Sequence, residues 1–171
     1  SVSITDSVTS IGSRGFNLCV ALKDVTMGEG VRSIGSLAFQ NTSISHVYIP
    51  SGVTSNVNTN TFSISNTTSI TVHNDNSVYD SRNNCNAAIH TSTNTIVLGC
   101  RNTVIPNTVT AIGNSAFYGC GALTALTIPN SVTAINDAAF VGCGFTSLGP
   151  VGSGAAIEIP LGLTTIGNQV F

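Results

Sequence analysis

A phrase of about two dozen residues returns along this chain, and a chain built that way stacks copies of one supersecondary unit instead of folding around a single globular core. The cleanest copy is VTAIGNSAFYGCGALTALTIPNS, residues 109–131. VTAINDAAFVGC follows from Val132, and earlier copies read VTSIGSRGFNLCVALKDVTMGEG from Val8 and VRSIGSLAFQNTSISHVYIPSG from Val31. Units open at Val8, Val31, Val53, Val78, Val109, Val132 and Leu163, so successive openings lie 23, 22, 25, 31, 23 and 31 residues apart. One phenylalanine per ordinary unit keeps register: Phe16, Phe39, Phe62, Phe117, Phe140 and Phe171. Five residues earlier stand Ile11, Ile34, Val57, Ile112, Ile135 and Ile166. The expectation is one array of about seven turns over residues 1–171, cut mid-repeat at both ends and open there to self-association.

Within one unit the spacing assigns the parts. In LTALTI, Leu126 and Ile128 point inward and Thr127 outward, as a half-buried strand requires. The I-P-N-S that follows ends the strand, because proline lacks a ladder donor. V-T-x-I is a second short extended piece. The glycine after it (Gly12, Gly35, Gly113, Gly167) allows a tight bend, and x-x-A-F then reads as a single helical turn. Stacking predicts a solenoid of right-handed winding, with a parallel sheet along one face and the phenylalanines as an internal spine.

The phrase V-T-x-I-G-x-x-A-F-x-x-C-x-x-L-x-x-L-x-I-P resembles the BspA-like leucine-rich repeats, a family of bacterial surface proteins also expanded in some protozoan parasites. The match covers nearly the whole chain; VTSNVNTNTF in the unit from Val53 and the two 31-residue units depart from it. The resemblance implies a secreted or surface-anchored array that binds host proteins or other cells, and it brings no catalytic residues.

The long unit 78–108 replaces the A-F turn with YDSRNNCNAAIHTSTNTIVLGC. Two β-like runs around Thr91–Asn94 predict a hairpin in which His90 opposes Thr95. That register places Ile89/Ile96, Ala87/Leu98 and Cys85/Cys100 on one face, with His90 and the loop projecting as a protrusion. Cys85 and Cys100 are then within about 7 Å, as a disulfide or as buried thiols. Cys19, Cys120 and Cys143 each follow a repeat Phe by three residues, where Thr42 and Ser65 stand elsewhere, which predicts a small buried slot.

Composition narrows the function. Charged residues make up only 7%, with five Lys and Arg against seven Asp and Glu, so no basic stripe exists for nucleic acid. No apolar run approaches the ~18–20 residues that span a bilayer. His46, His73 and His90 lie in different units without ligand spacing, and NDNSVYD (74–80) lacks the spacing of a calcium loop and reads as an Asn/Asp-rich turn. No serine stands where the sequence pairs it with a histidine, and no nucleotide or nucleophile fingerprint occurs, so neither catalytic residue, cofactor nor metal site is predicted. What remains is an extracellular or cell-surface binding module for a protein or cell-surface ligand, or a spacer that projects another domain. The expected contact face is the strand surface: Lys23, Asp24 and Thr26; Ser45, His46 and Tyr48; Ser69, Thr71 and His73; Thr124, Ala125 and Thr127.

Overall fold

The computed structural model describes all 171 residues. Fifteen short strands run in the order β1 (Val2–Ile4), β2 (Ser10–Ile11), β3 (Val25–Met27), β4 (Ser33–Ile34), β5 (His46–Ile49), β6 (Ser69–Val72), β7 (Tyr79–Asp80), β8 (Ala87–His90), β9 (Thr95–Gly99), β10 (Ala111–Ile112), β11 (Leu126–Thr127), β12 (Ala134–Ile135), β13 (Leu148–Pro150), β14 (Ile157–Ile159) and β15 (Thr165–Ile166). An ordinary unit contributes two of them. The I-P strand pairs in parallel with its counterparts, β1 with β3, β5 with β6, and β11 with β14. The V-T-x-I strand does the same on another side, β2 with β4, β10 with β12 and β12 with β15. The expected single sheet on one face is therefore several parallel ladders on two faces, and each residue pairs with the residue one unit away, as Ile112 does with Ile135.

The x-x-A-F segment is not helical. Backbone bonds such as Gly15 N–H to Gly12 O (3.1 Å) and Ala116 N–H to Gly113 O (3.2 Å) close tight turns. The residue two before the phenylalanine adopts positive φ in five units: Arg14, Leu37, Ser115, Ala138 and Gln169, all between 51° and 62°. Such residues cost free energy outside glycine and persist where the surroundings enforce them. Here a ladder of backbone bonds between units enforces them: four phenylalanine N–H groups donate to the carbonyl preceding the next phenylalanine, Phe16 to Ala38 (2.8 Å), Phe39 to Thr61 (2.8 Å), Phe117 to Ala139 (2.9 Å) and Phe140 to Val170 (2.8 Å). The rings stack inside, Phe16–Phe39–Phe62 at 5.2 and 5.5 Å and Phe117–Phe140–Phe171 at 5.2 and 5.6 Å. The glycine after the isoleucine answers to the same closeness. A Cβ on Gly35 would lie 2.3 Å from the Ser13 nitrogen of the previous unit, whereas one on Gly12 would meet nothing within 4 Å.

The irregular units keep this scheme by substitution. In the unit from Val53 no V-T-x-I strand forms, and the Asn56 amide caps the Ile34 carbonyl at 3.0 Å in place of a strand. The unit from Val78 folds its extra residues into the antiparallel strands β7, β8 and β9, and β9 pairs in parallel with β10, Thr95 with Ala111 and Ile96 with Ile112. Ile96 thus fills the repeat's isoleucine position. Gly99 fills the phenylalanine position: its N–H donates to Ala116 O (2.8 Å), and a Cβ there would meet the Phe117 ring at 2.1 Å.

The hairpin register holds for His90/Thr95 and Ile89/Ile96, then slips at a β-bulge so that Leu98 faces Ala88 and Gly99 faces Ala87. Val97 is the additional residue. The expected Ala87/Leu98 pairing is thereby corrected. The hairpin strands are built into the six-stranded sheet β15-β12-β10-β9-β8-β7, inside its edge strand β7, with Ala87, Ala88, Ile89, Ile96 and Leu98 all fully buried. The second long unit adds β13 on the far side of β14, so that the order is β11-β14-β13.

Candidate interaction surface

The strand surface of the first units assembles nine of the twelve expected residues. Lys23, Asp24 and Thr26 are exposed on and before β3, and Ser45 N–H donates to Lys23 O (3.0 Å) to hold the next unit beside it. The β5–β6 register sets His46 opposite Ser69 and Tyr48 opposite Thr71. His46 is clamped between them, Nδ1 to Ser69 Oγ at 2.7 Å and Nε2 to Thr71 Oγ1 at 3.2 Å. Partial burial lowers its pKa and favours the neutral ring. The pairing of His46 with Ser69 corrects the sequence reading, which paired no serine with a histidine. It is a hydroxyl, Thr71, that occupies the second ring nitrogen, where a hydrolytic triad places its orienting carboxylate.

Tyr48 is half-buried and not free to reach a ligand with its hydroxyl, which donates to Glu29 Oε1. Glu29 Oε2 accepts from the Ser51 amide and hydroxyl, both at 3.2 Å. Burial pushes the Glu29 carboxyl up, but the bonds from Tyr48 and Ser51 outweigh it and leave the pKa below its ordinary value. Burial and the Glu29 charge together push the Tyr48 phenol well up. Sequence reasoning passed over Glu29, although the aligned Asp6 signals its role: Asp6 Oδ1 accepts the Glu29 N–H at 2.8 Å, just as Glu29 accepts the Ser51 N–H. A second stack of this kind runs from Asn114 to Asp137 N–H (3.2 Å) and from Asp137 to Asn168 N–H (2.6 Å).

His73 lies opposite Pro50, one step past the Val72–Ile49 pair, and therefore four ladder positions or about 13 Å from His46. Its Nδ1 accepts the Asp75 N–H at 3.1 Å. The two histidines share the face without approaching one another, and no group of three or more His, Cys, Asp or Glu side chains is placed to hold a metal ion. Thr124, Ala125 and Thr127 are exposed but stand apart from the other nine, beyond the long unit. Beside them opens a cleft of about 340 Å³ between Val104–Ile105 and Ala125–Thr127, where no strand pairing bridges the two units.

Cys85 and Cys100 are both buried free thiols, Cys85 Sγ 3.6 Å from Ala87 O and Cys100 Sγ 3.3 Å from Asn86 O. Burial pushes both thiols up. The slot three residues after the phenylalanine is buried at Thr42 and Cys120 but exposed at Cys19 and Ser65. Burial raises Cys120 to about 11 and Cys143 to about 12. At the hairpin end, Ser92 and Thr93 are exposed, while His90 lies edge-on to Tyr79 at 5.7 Å instead of projecting. In the NDNSVYD turn, Asn76 is buried and every polar atom of its side chain is used: Nδ2 donates to Pro50 O and Val53 O (2.8 Å each), and Oδ1 accepts from Val78 N (3.0 Å) and Tyr79 N (2.9 Å).

With this geometry in place, a family model described as BspA type leucine rich repeat region matches in six copies, over residues 1–97 and 97–171. Among solved structures, a leucine rich cell surface protein of Faecalibacterium prausnitzii is 28% identical with a TM-score of 0.72, over 99% of this chain and 44% of that one. A leucine-rich repeat protein of Eubacterium ventriosum is 23% identical with a TM-score of 0.68, over 96% and 49%. The pneumococcal vaccine antigen PcpA, at 16% identity and a TM-score of 0.70 over 94% and 39%, shares the fold. The chain spans less than half the length of each of these structures. No curated protein matches it. No helix of the chain is long and apolar enough to cross a membrane.

Proposed function

The chain belongs to the BspA-type leucine-rich repeat family, and from that premise we propose that it is a non-catalytic segment of an extracellular or cell-surface protein, binding a protein or cell-surface ligand through the face of β3, β5 and β6. The observation that carries this reading is the continuity of that face. Across three successive units its outward side chains are polar, and on β5 and β6 they are held by bonds between units, His46 between Ser69 and Thr71 and Tyr48 on Glu29. Side chains ordered before contact lose little entropy on binding, which is what a shallow surface needs to hold a partner. Similarity to a cell-surface protein of Faecalibacterium prausnitzii supports the location. Right-handed winding belongs to the same reading, as parallel crossovers overwhelmingly take that hand.

The test is immobilisation of the chain against a panel of extracellular matrix proteins and whole cells. Replacement of Lys23, His46 and Thr71 by alanine should abolish whatever binding is found, while replacement of Ser92 and Thr93 at the hairpin end leaves it unchanged. Binding by a longer relative with none by this segment favours the spacer reading.

A further inference from the structure

The turn stack on the opposite side of the molecule skips one unit, and the space it leaves is a built groove. Because Gly99 fills the phenylalanine position without an A-F turn, the turn of residues 57–62 approaches the turn of residues 113–117 directly, joined by Thr59 Oγ1 to Ser115 O at 3.0 Å. Next to that bridge lies an open groove of about 400 Å³, within the range of small-ligand sites. Its floor is Val57 and Val97. Val97 is the bulge residue of β9, and a bulge re-aims a side chain out of the strand alternation. Its neighbours Ile96 and Leu98 are fully buried, while Val97 is only partly so.

The rim is polar and uncharged: Asn58, Asn60, Asn114 and Ser115. The Asn58 and Asn114 oxygens are spent on Thr61 N–H (3.0 Å) and Asp137 N–H (3.2 Å), which fixes both side chains and leaves their amide nitrogens as donors. Asn60 adds an exposed amide and Ser115 a half-exposed hydroxyl. Three amides around a small apolar floor, two of them held by the backbone and none beside a charged lining residue, match a ligand that offers hydroxyl groups on its edge and C–H groups on its face. We propose that this groove binds one uncharged pyranose unit of a glycan, the ring lying on Val97 and its hydroxyls bonded to the asparagine amides. The site is independent of the β3-β5-β6 face, so either can fail alone.

The test is titration of the ¹⁵N-labelled 171-residue chain with the methyl glycosides of glucose, galactose, mannose and N-acetylglucosamine, with glucose 6-phosphate as the charged comparator. At least one neutral glycoside should bind with millimolar affinity and shift the amides of residues 58–60, 97 and 113–115. Asn60→Ala should weaken that binding about tenfold without moving the melting temperature, and Val97→Phe, which fills the floor, should abolish it. Shifts confined to other residues, binding of the phosphate alone, no response to any glycoside, or unchanged binding in both variants would each overturn the proposal.

Discussion

Two regions hold the same place in the stack by opposite means. Around Phe39 the unit is filled from within: the ring is fully buried and stacked between Phe16 at 5.2 Å and Phe62 at 5.5 Å. Around Gly99 the same ladder bond is made, but there is no side chain, and the neighbouring Phe117 ring occupies the room. The difference shows that the solenoid is specified by its backbone ladder and by total filled volume, not by a phenylalanine in every turn. Close-packed interiors tolerate exchange of one filling for another and resist both a void and an overlap.

The largest effect should come from the first region. Phe39→Ala removes a ring packed on both faces and should cost about 3–5 kcal/mol in urea denaturation; a cost below that of an exposed substitution would break the comparison. Next comes Gly99→Ala, which places a methyl inside the Phe117 ring and should cost about 1–3 kcal/mol through overpacking. Phe117→Leu should recover part of that loss, and a double-mutant cycle showing no coupling would mean that the two groups do not share one space.

Smaller effects report on the thiols and the turn carboxylate. Folded Cys120 and Cys143 titrate near 11 and 12 against an ordinary 9.0, so their contribution is complete below pH 9 and fades as pH rises towards those values. Alkaline titration of stability should therefore flatten in a chain with both replaced by alanine. At pH 8 a thiol reagent should modify exposed Cys19 first and reach Cys85, Cys100 and Cys120 only on unfolding. For Glu29 the sign is reversed. Its folded pKa lies below the ordinary 4.5, so its stabilisation is complete above that value and is lost as pH falls through the folded one. Glu29→Gln should reduce the acid slope of the melting temperature, the smallest of these changes, because the group is largely solvated.

Much of the molecule was legible beforehand because repetition amplifies weak signals. One V-T-x-I proves little, yet its return in register at Ile11, Ile34, Ile112 and Ile135 predicted a stack, and these residues pair or bury as expected. The contact face was legible only in part. Alternation identified the outward positions at Lys23, His46 and Thr71, but it carries no information on what those side chains touch. Hence Tyr48 is placed on the contact face without the Glu29 carboxylate that holds its hydroxyl, and Ser69 without His46, from which it is separated by one unit of chain.

The repeat period by itself determined the stacking and most of the buried positions, since both follow from where apolar side chains recur, while the family rested on the resemblance of the repeated phrase. The tertiary structure decided what happens where the period fails. The bulge at Val97, the glycine in the phenylalanine slot and the left-handed residues before five of the phenylalanines are set by the approach of neighbouring turns, to 2.1 Å from the Phe117 ring for a Cβ on Gly99. Those distances depend on atoms from units that are remote in sequence, and a local pattern does not contain them.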